Sequence, residues 1–179
     1  VVAPHSLVEK LLEKGFNGNK GPGGFYQTTI VDDDEIVKAM NTSDMSYYDF
    51  DKVDLDIARR VEKEGIKALL DDDSEYGRYG FAVLAKIINY SAFCIPEVSS
   101  NVTDIDDARR MGFNWNEGPF ELLNEYGLTK FVQRLQDEKQ EVPELLKTMI
   151  GLKQEPYDST SSRAYDHEAG MKFISRGED

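Results

Sequence analysis

The residues that could take part in chemistry begin with a glycine-rich turn near the start of the chain. Gly18, Gly21, Gly23 and Gly24 have the density of a nucleotide-binding loop, in which backbone N–H groups hold phosphate. A dinucleotide-binding loop follows a strand and opens a helix, whereas this turn follows a helical pattern and opens a strand-like one. The sequence therefore favours a tight turn here and predicts no cofactor-binding residue on this chain.

The acidic clusters and the two histidines predict neither a metal site nor a catalytic group. The carboxylates of residues 49–56 lack the central Gly and the closing Glu of a calcium loop. The runs at 32–35 and 71–73 suit solvated turns and helix ends. His5 and His167 lie at opposite ends of the chain, and neither has a helical carboxylate partner that would suggest a catalytic dyad or a metal site. We expect no metal ligand and no catalytic residue.

One short stretch combines aromatic residues, a Gly-Pro step and a helix start. It contains Phe113, Trp115, Gly118, Pro119 and Phe120. The default interpretation is a packed corner between helices, in which Trp115 is largely buried and Gly118-Pro119 begins a helix. The alternative is one wall of an apolar ligand cleft, with these five residues near the substrate.

Composition narrows the classes of partner. The chain has 179 residues, and its 21 Lys and Arg against 34 Asp and Glu give a net charge of −13. Nucleic acid and anionic membranes both need a basic surface, so we expect neither as a partner. No apolar run approaches the length of a membrane helix. The single Cys94 excludes a disulfide framework and suits a reducing compartment, so we expect a cytoplasmic location.

Hydrophobic periodicity predicts a mainly α-helical fold with two small β-hairpins. Apolar residues recur at helical spacing in seven segments, at 7–14, 53–70, 77–95, 105–111, 120–126, 129–137 and 143–150. The segment 77–95 is apolar nearly all round and predicts a central, buried helix. Strand-like residues and turn signals predict hairpins within 25–39 and 164–174. The chain starts at Val1 without Met, and we expect a piece of a longer protein.

Residues 105–124 carry a specific resemblance. They read Ile-Asp-Asp-Ala-Arg-Arg-Met-Gly-Phe-Asn-Trp-Asn-Glu-Gly-Pro-Phe-Glu-Leu-Leu-Asn, which resembles the C-terminal region of the NAD-dependent 3-hydroxyacyl-CoA dehydrogenases. The segment 95–98, Ile-Pro-Glu-Val, also looks like that family. Residues 7–26 resemble the end of a preceding repeat, with matches that include Lys20, Phe25 and Tyr26 and departures at Asn19, Gly21 and Pro22.

The resemblance is strongest to multifunctional beta-oxidation enzymes and implies a division of the chain. Residues 1–50 would be the end of a first C-terminal repeat with a hairpin linker, and residues 51–150 a second helical repeat. Residues 151–179 would be a polar linker and hairpin. In such relatives an enoyl-CoA hydratase domain can be fused to the dehydrogenase. The second repeat there packs on the first like a dimer partner folded in cis.

The resemblance also implies that this chain supports a site that it does not contain. The family's catalytic His–Glu pair and its NAD-binding loop lie on an upstream nucleotide-binding domain. Leu84 stands where an assisting Asn of the first repeat would fall. We therefore expect NAD in the parent protein and none on this chain, which would be inactive alone. The alternative is a standalone helical binding or scaffolding module without catalysis.

Contacts with acyl-CoA and with other copies are the remaining expectations. Arg59, Arg60, Lys63 and Lys67, with Lys20, form the best candidate for a basic patch facing coenzyme A. The apolar stripe of the segment 7–14 needs cover, either from the second repeat or from another copy in a weak homodimer.

Overall fold

The computed structural model describes residues 5–49, 54–158, 160 and 163–173, with side chains described up to residue 170. The chain divides into two compact units, Val1–Asp54 and Leu55–Asp179, which we call unit 1 and unit 2. Helices dominate and the strands are short and antiparallel, so the prediction of a mainly α-helical fold with small hairpins is confirmed. Among the described residues, none of the helices combines the length and hydropathy that a membrane span requires.

Unit 1 contains one helix and one sheet. Helix α1 spans Ser6–Glu13, and the Nδ1 atom of His5 caps it by accepting a hydrogen bond from the N–H of Leu7 at 3.2 Å. The sheet has the order β1-β2-β3, with strands Tyr26–Val31, Asp34–Met40 and Tyr47–Asp49. The β1–β2 turn at Asp32 and Asp33 has positive φ angles of 52° and 68°, as a type I′ hairpin turn requires.

Unit 2 contains seven helices in the described part of the chain. They are α2 Asp56–Glu64, α3 Ile66–Leu70, α4 Glu75–Phe93, α5 Val102–Phe113, α6 Pro119–Tyr126, α7 Leu128–Asp137 and α8 Glu144–Gly151. Their apolar faces meet in one core around the aromatic residues Phe81, Phe120 and Phe131, each at most 1% exposed. The rings of Phe81 and Phe131 lie 5.7 Å apart in a tilted arrangement, which adds to the hydrophobic stabilisation.

The prediction of one continuous helix over 53–70 is wrong. Residue 53 itself lies outside the described residues. The chain breaks between α2 and α3 at Gly65, whose φ is 77°. Glu125 of α6 stabilises the break, because its Oε1 atom accepts a hydrogen bond from the N–H of Ile66 at 3.1 Å. A Cβ at position 65 would lie 2.3 Å from that oxygen. Periodicity could not reveal this partner, which lies 59 residues away.

Helix α4 is buried on one face only, which corrects the expectation of a helix surrounded by core. Residues such as Ala85 and Ile88 are fully buried in it. On the opposite face a row of large apolar side chains is exposed, comprising Tyr76, Tyr79, Val83, Tyr90 and Phe93. We call this row the α4 stripe. Its spacings of three, four and seven residues keep the members on one side of the helix.

The last part of unit 2 is a three-stranded sheet, β4 Tyr157–Asp158, β5 Arg163–Asp166 and β6 Gly170–Phe173. Ala164 and Tyr165 of β5 belong to the hydrophobic core. The hairpin predicted over 164–174 is present, except that residue 174 lies outside the described residues. The expectation of a polar, loop-like linker underestimates how far this segment is buried in unit 2.

Candidate functional site

The corner between α5 and α6 is organised by one fully buried carboxyl group, that of Asp106. Its Oδ1 atom accepts a hydrogen bond from the N–H of Phe120 at 2.8 Å. Its Oδ2 atom accepts from the N–H of Glu121 at 3.0 Å and from the hydroxyl of Tyr157 at 2.7 Å. A side chain of α5 therefore caps the first turn of α6 and also fixes β4 to both helices.

Gly118 and Pro119 make this approach possible. A Cβ at position 118 would lie 2.3 Å from the Cβ and Cγ atoms of Asp106, so the close contact needs glycine. Pro119 is the first residue of α6, where its missing N–H leaves no bond unmade. The prediction that Gly118-Pro119 begins a helix is confirmed. The Gly-Pro step thus serves the cap that Asp106 provides.

Glu121 extends the network toward the surface. Its Oε2 atom accepts a hydrogen bond from the N–H of Gly118 at 2.8 Å, and its Oε1 atom pairs with Arg110 at 2.8 Å. Arg110 also contacts the carboxylate of Asp107, and this hydrogen bond is the main cause that raises the pKa of the guanidinium. Glu121, Arg110 and Asp107 therefore each have an opposite charge or a backbone donor as a partner.

Burial shifts the pKa values of the two groups at the centre. Desolvation raises the pKa of Asp106 to about 7, and the charge of Glu121 adds to it, although the three donors pull it down. The pKa of Tyr157 is raised mainly by desolvation and secondly by the charge of Asp106, so the Tyr157 hydroxyl stays protonated and remains a donor. A perturbed carboxyl is a common mark of active sites, but this one has no accessible surface for a substrate.

The outer face of this corner is acidic. Glu117, Glu121 and Glu125 follow one another at four-residue spacing, and desolvation, Glu125 and Glu121 together raise the pKa of Glu117. A polyanion such as coenzyme A is repelled by such a row. The geometry therefore suits a structural joint better than a phosphate-binding surface.

The structure separates the five predicted substrate-proximal residues into two groups. Gly118, Pro119 and Phe120 are buried, and Phe120 has no exposed surface at all. In this fold they hold α6 and offer no wall to a ligand. Phe113 is 64% exposed with the Arg109 guanidinium 5.0 Å from its ring centre. Trp115 keeps only a minor part of its surface exposed, which agrees with the expectation of a largely buried indole. A ligand-facing role stays a prediction for these two residues.

The predicted basic patch is partly neutralised by carboxylates. Arg60 pairs with Asp72 at 2.9 Å, and Arg59 pairs with Asp56 at 3.5 Å. Lys63 on α2 and Lys67 on α3 are exposed. Lys20 belongs to unit 1. In the described ranges, no three His, Cys, Asp or Glu side chains are placed to hold a metal ion.

Comparison with known proteins agrees with the motif in residues 105–124. Over 117 residues, or 65% of this chain, it is 35% identical to a protein of Rickettsia felis named as a fatty acid oxidation complex trifunctional enzyme. The Rickettsia prowazekii protein of the same name is 33% identical over the same length. A Bacillus subtilis protein named as a 3-hydroxyacyl-CoA dehydrogenase is 27% identical over 97% of this chain.

The chain is similar to part of each of these proteins. It spans 15% of each Rickettsia relative and 21% of the Bacillus relative, which fits the C-terminal region that the resemblance indicated. No family model matches the chain, and no solved structure matches it.

Sequence reasoning found the motif but did not identify Asp106 as the residue that organises it. Asp106 lies within the recognised segment, yet its role depends on Phe120 and Tyr157, which are 14 and 51 residues away. The one available signal was an acidic residue on the apolar side of a predicted helix. Such a residue is rarely buried without partners, so it points to a capping or paired carboxyl.

Proposed function

We propose that this chain is a supporting C-terminal part of an NAD-dependent 3-hydroxyacyl-CoA dehydrogenase of fatty acid beta-oxidation. The parent enzyme would oxidise 3-hydroxyacyl-CoA to 3-ketoacyl-CoA, with an enoyl-CoA hydratase domain fused to it. The observation that carries the proposal is the similarity over 97% of the chain to a protein named as a 3-hydroxyacyl-CoA dehydrogenase. The parent would work in the cytoplasm, since Cys94 is a free thiol.

The cofactor belongs elsewhere in the parent. NAD would bind to an upstream nucleotide-binding domain, because such binding needs a glycine-rich loop that opens a helix. The glycine-rich turn of this chain instead lies between α1 and β1. The base that accepts the hydroxyl proton of the substrate would also come from that domain. This chain would contribute packing rather than chemistry.

The α4 stripe is the surface that we assign to packing against the first helical repeat of the parent. Tyr79 is 73% exposed and Tyr90 is 63% exposed, on a helix whose opposite face forms the core. An exposed apolar row of this length is typical of an interface. In the isolated chain, α1 has Leu11 buried and Leu12 exposed, and it stays a candidate for weak self-association.

Phe113 and Trp115 are the residues that we assign to the wall of the acyl-CoA cleft in the assembled enzyme. They are the two aromatic members of the predicted site that keep accessible surface. Replacing either by Ala in the parent enzyme should raise KM for the acyl-CoA more than it lowers kcat, because a cleft wall binds the ground state and the transition state alike. The matched control is Met111→Ala, because Met111 is 85% exposed and lies on α5, the helix that contains Phe113.

The test of the proposed function compares the parent enzyme with the isolated chain. NADH formation from a 3-hydroxyacyl-CoA should be measurable with the parent and absent with the chain. Substitutions in the α4 stripe provide a second test. Tyr79→Ser with Tyr90→Ser should weaken the parent's activity while leaving the melting of the isolated chain unchanged. A parent without dehydrogenase activity would overturn the proposal and favour a standalone scaffolding module.

A further inference from the structure

The two edges of the unit 1 sheet differ in how they are protected against pairing with another strand. Strand β3 is three residues long and carries Asp49, which pairs with Lys38 of β2 at 3.4 Å. Strand β1 is six residues long and reads Tyr-Gln-Thr-Thr-Ile-Val, with no charged residue and no proline. Short edges and charges are the usual protection of a sheet edge, and β1 has neither of them.

Backbone geometry shows which groups of β1 point away from the sheet. The C=O of Phe25 accepts a hydrogen bond from the N–H of Met40 at 2.9 Å, so Phe25 pairs toward β2. Because directions alternate along a strand, the N–H and C=O groups of Thr28 and Ile30 point to the open edge. The C=O of Tyr26 shares that direction but accepts from the N–H of Gly24 at 2.9 Å. Thr28 and Ile30 therefore offer four groups to a new strand.

We propose that β1 is a dimerisation edge, which pairs antiparallel with β1 of a second copy of this chain with Thr29 opposite Thr29. In this register Thr28 of each copy lies opposite Ile30 of the other, and the four outward groups form four hydrogen bonds across the two-fold axis. The engaged C=O of Tyr26 is not needed. Other registers either use that group or leave one pair of outward groups without partners.

Side-chain placement favours the same arrangement. Tyr26, Thr28 and Ile30 share one face of the sheet with Val37 and Tyr48, as the strand register shows. All five side chains are more than a third exposed, with Ile30 at 76%. Placing Thr28 opposite Ile30 keeps this apolar face continuous through both copies. The dimer would have a sheet of six strands, whose shared face carries Glu35 opposite Ile30 beside these apolar residues.

The net charge of −13 does not oppose this pairing. The carboxylates nearest to β1 are those of the turn at Asp32 and Asp33 and those of Asp34 and Glu35, which lie opposite Val31 and Ile30 on β2. Across the proposed dimer, the β2 strands that carry Glu35 would be three strand spacings apart, about 14 Å. In an antiparallel pair centred on Thr29, the two acidic turns lie at opposite ends, about 20 Å apart at roughly 3.4 Å per residue. That distance is about twice the screening length of roughly 10 Å at 0.1 M salt. Repulsion between the copies at this edge is therefore weak.

Cysteine cross-linking of the 179-residue chain tests the register directly, in a Cys94→Ala background. In the proposed register, Thr29 of one copy lies opposite Thr29 of the other copy, in a pair without direct hydrogen bonds. The two Cα atoms of such a pair are about 4.5 Å apart, a distance that suits a disulfide. Thr29→Cys should therefore form a covalent dimer under mild oxidation. Thr28→Cys is the matched control and should form no covalent dimer alone, because Thr28 lies opposite Ile30 of the other copy. Mixed with Ile30→Cys, it should cross-link.

A second variant separates the pairing from folding. Ile30→Pro removes an N–H that points to the open edge, so the β1–β2 ladder keeps its bonds and edge strands tolerate proline. Sedimentation should show the dimer weakened about tenfold or more, because two of the four interchain bonds are lost. The circular dichroism spectrum should not change.

Three results would overturn the proposal. The first is no covalent dimer with Thr29→Cys at the highest concentration at which the chain stays soluble. The second is a dimer of equal yield with Thr28→Cys alone. The third is sedimentation that Ile30→Pro leaves unchanged. The inference depends on unit 1 alone, so its failure leaves the dehydrogenase proposal untouched.

Discussion

The α5–α6 corner of unit 2 and the hairpin of unit 1 use apolar residues in opposite ways. In the corner, Phe120 and Asp106 have no exposed surface, and the carboxyl of Asp106 accepts three hydrogen bonds. In the hairpin, Ile30 is 76% exposed on an edge strand. The contrast predicts that Phe120 and Asp106 of the corner contribute more to stability than Ile30 of the sheet.

The largest expected effect separates the two regions by core truncation. Phe120→Ala removes a fully buried ring and should lower the free energy of unfolding by about 3–5 kcal/mol. Ile30→Ala should change it by less than about 0.5 kcal/mol in dilute monomer. Urea melts that follow the helical circular dichroism signal measure both. Equal losses for the two variants would contradict the contrast.

The second effect concerns the pH dependence of the corner. The folded pKa of Asp106 is about 7, above its ordinary value of 3.8, so the folded state binds more protons than the unfolded state between these limits. Its contribution to stability is greatest below about pH 4 and is lost as the pH rises to 7. The full loss is up to about 4 kcal/mol. Urea melts from pH 4 to pH 8 measure it.

Two variants sharpen this prediction. Asp106→Asn cannot ionise, so its stability should change less with pH than that of the wild type, although it should be lower at pH 5 because the cap is altered. Tyr157→Phe removes one hydrogen bond, at a cost of about 1 kcal/mol, and keeps the buried carboxyl. It should therefore still lose stability as the pH rises, and the loss should extend to higher pH because the Tyr157 hydroxyl lowers the pKa of Asp106. An unchanged slope in Asp106→Asn would show that other groups cause the dependence.

The smallest effect concerns Trp115. Its partly buried indole should contribute less than a core ring, so Trp115→Ala should destabilise the chain by about 1–2 kcal/mol. Tryptophan fluorescence of the wild type gives an independent check, because this is the one Trp in the sequence. A loss above about 3 kcal/mol, or an emission spectrum of a fully shielded indole, would contradict the structure.

Elements with local signals could be predicted from the sequence. The helix that begins at Pro119 follows from a Gly-Pro step and an apolar repeat, and its end at Gly127 follows from the glycine. The β1–β2 hairpin follows from two strand-like runs around an acidic turn. In each of these cases the deciding residues lie within one turn of the boundary.

Features that depend on distant partners were missed for a physical reason. The break at Gly65 needs Glu125, and the role of Asp106 needs the N–H groups of α6 and the Tyr157 hydroxyl. The exposure of the α4 stripe needs the positions of all the neighbouring helices. Helical periodicity identifies apolar faces, but it does not show which of two apolar faces the core covers.

The claim that this chain supports catalysis without performing it is tested most directly by a cofactor and turnover measurement on the pure 179-residue protein. Calorimetry with NAD should give no binding heat, and absorbance at the NADH band should not rise with 3-hydroxyacyl-CoA present. Acetoacetyl-CoA should bind weakly at most, in a way that high salt removes. Among the described patch residues, only the exposed Lys20, Lys63 and Lys67 are without a carboxylate within salt-bridge distance, and Lys20 belongs to unit 1. NADH production by this chain alone would contradict the account.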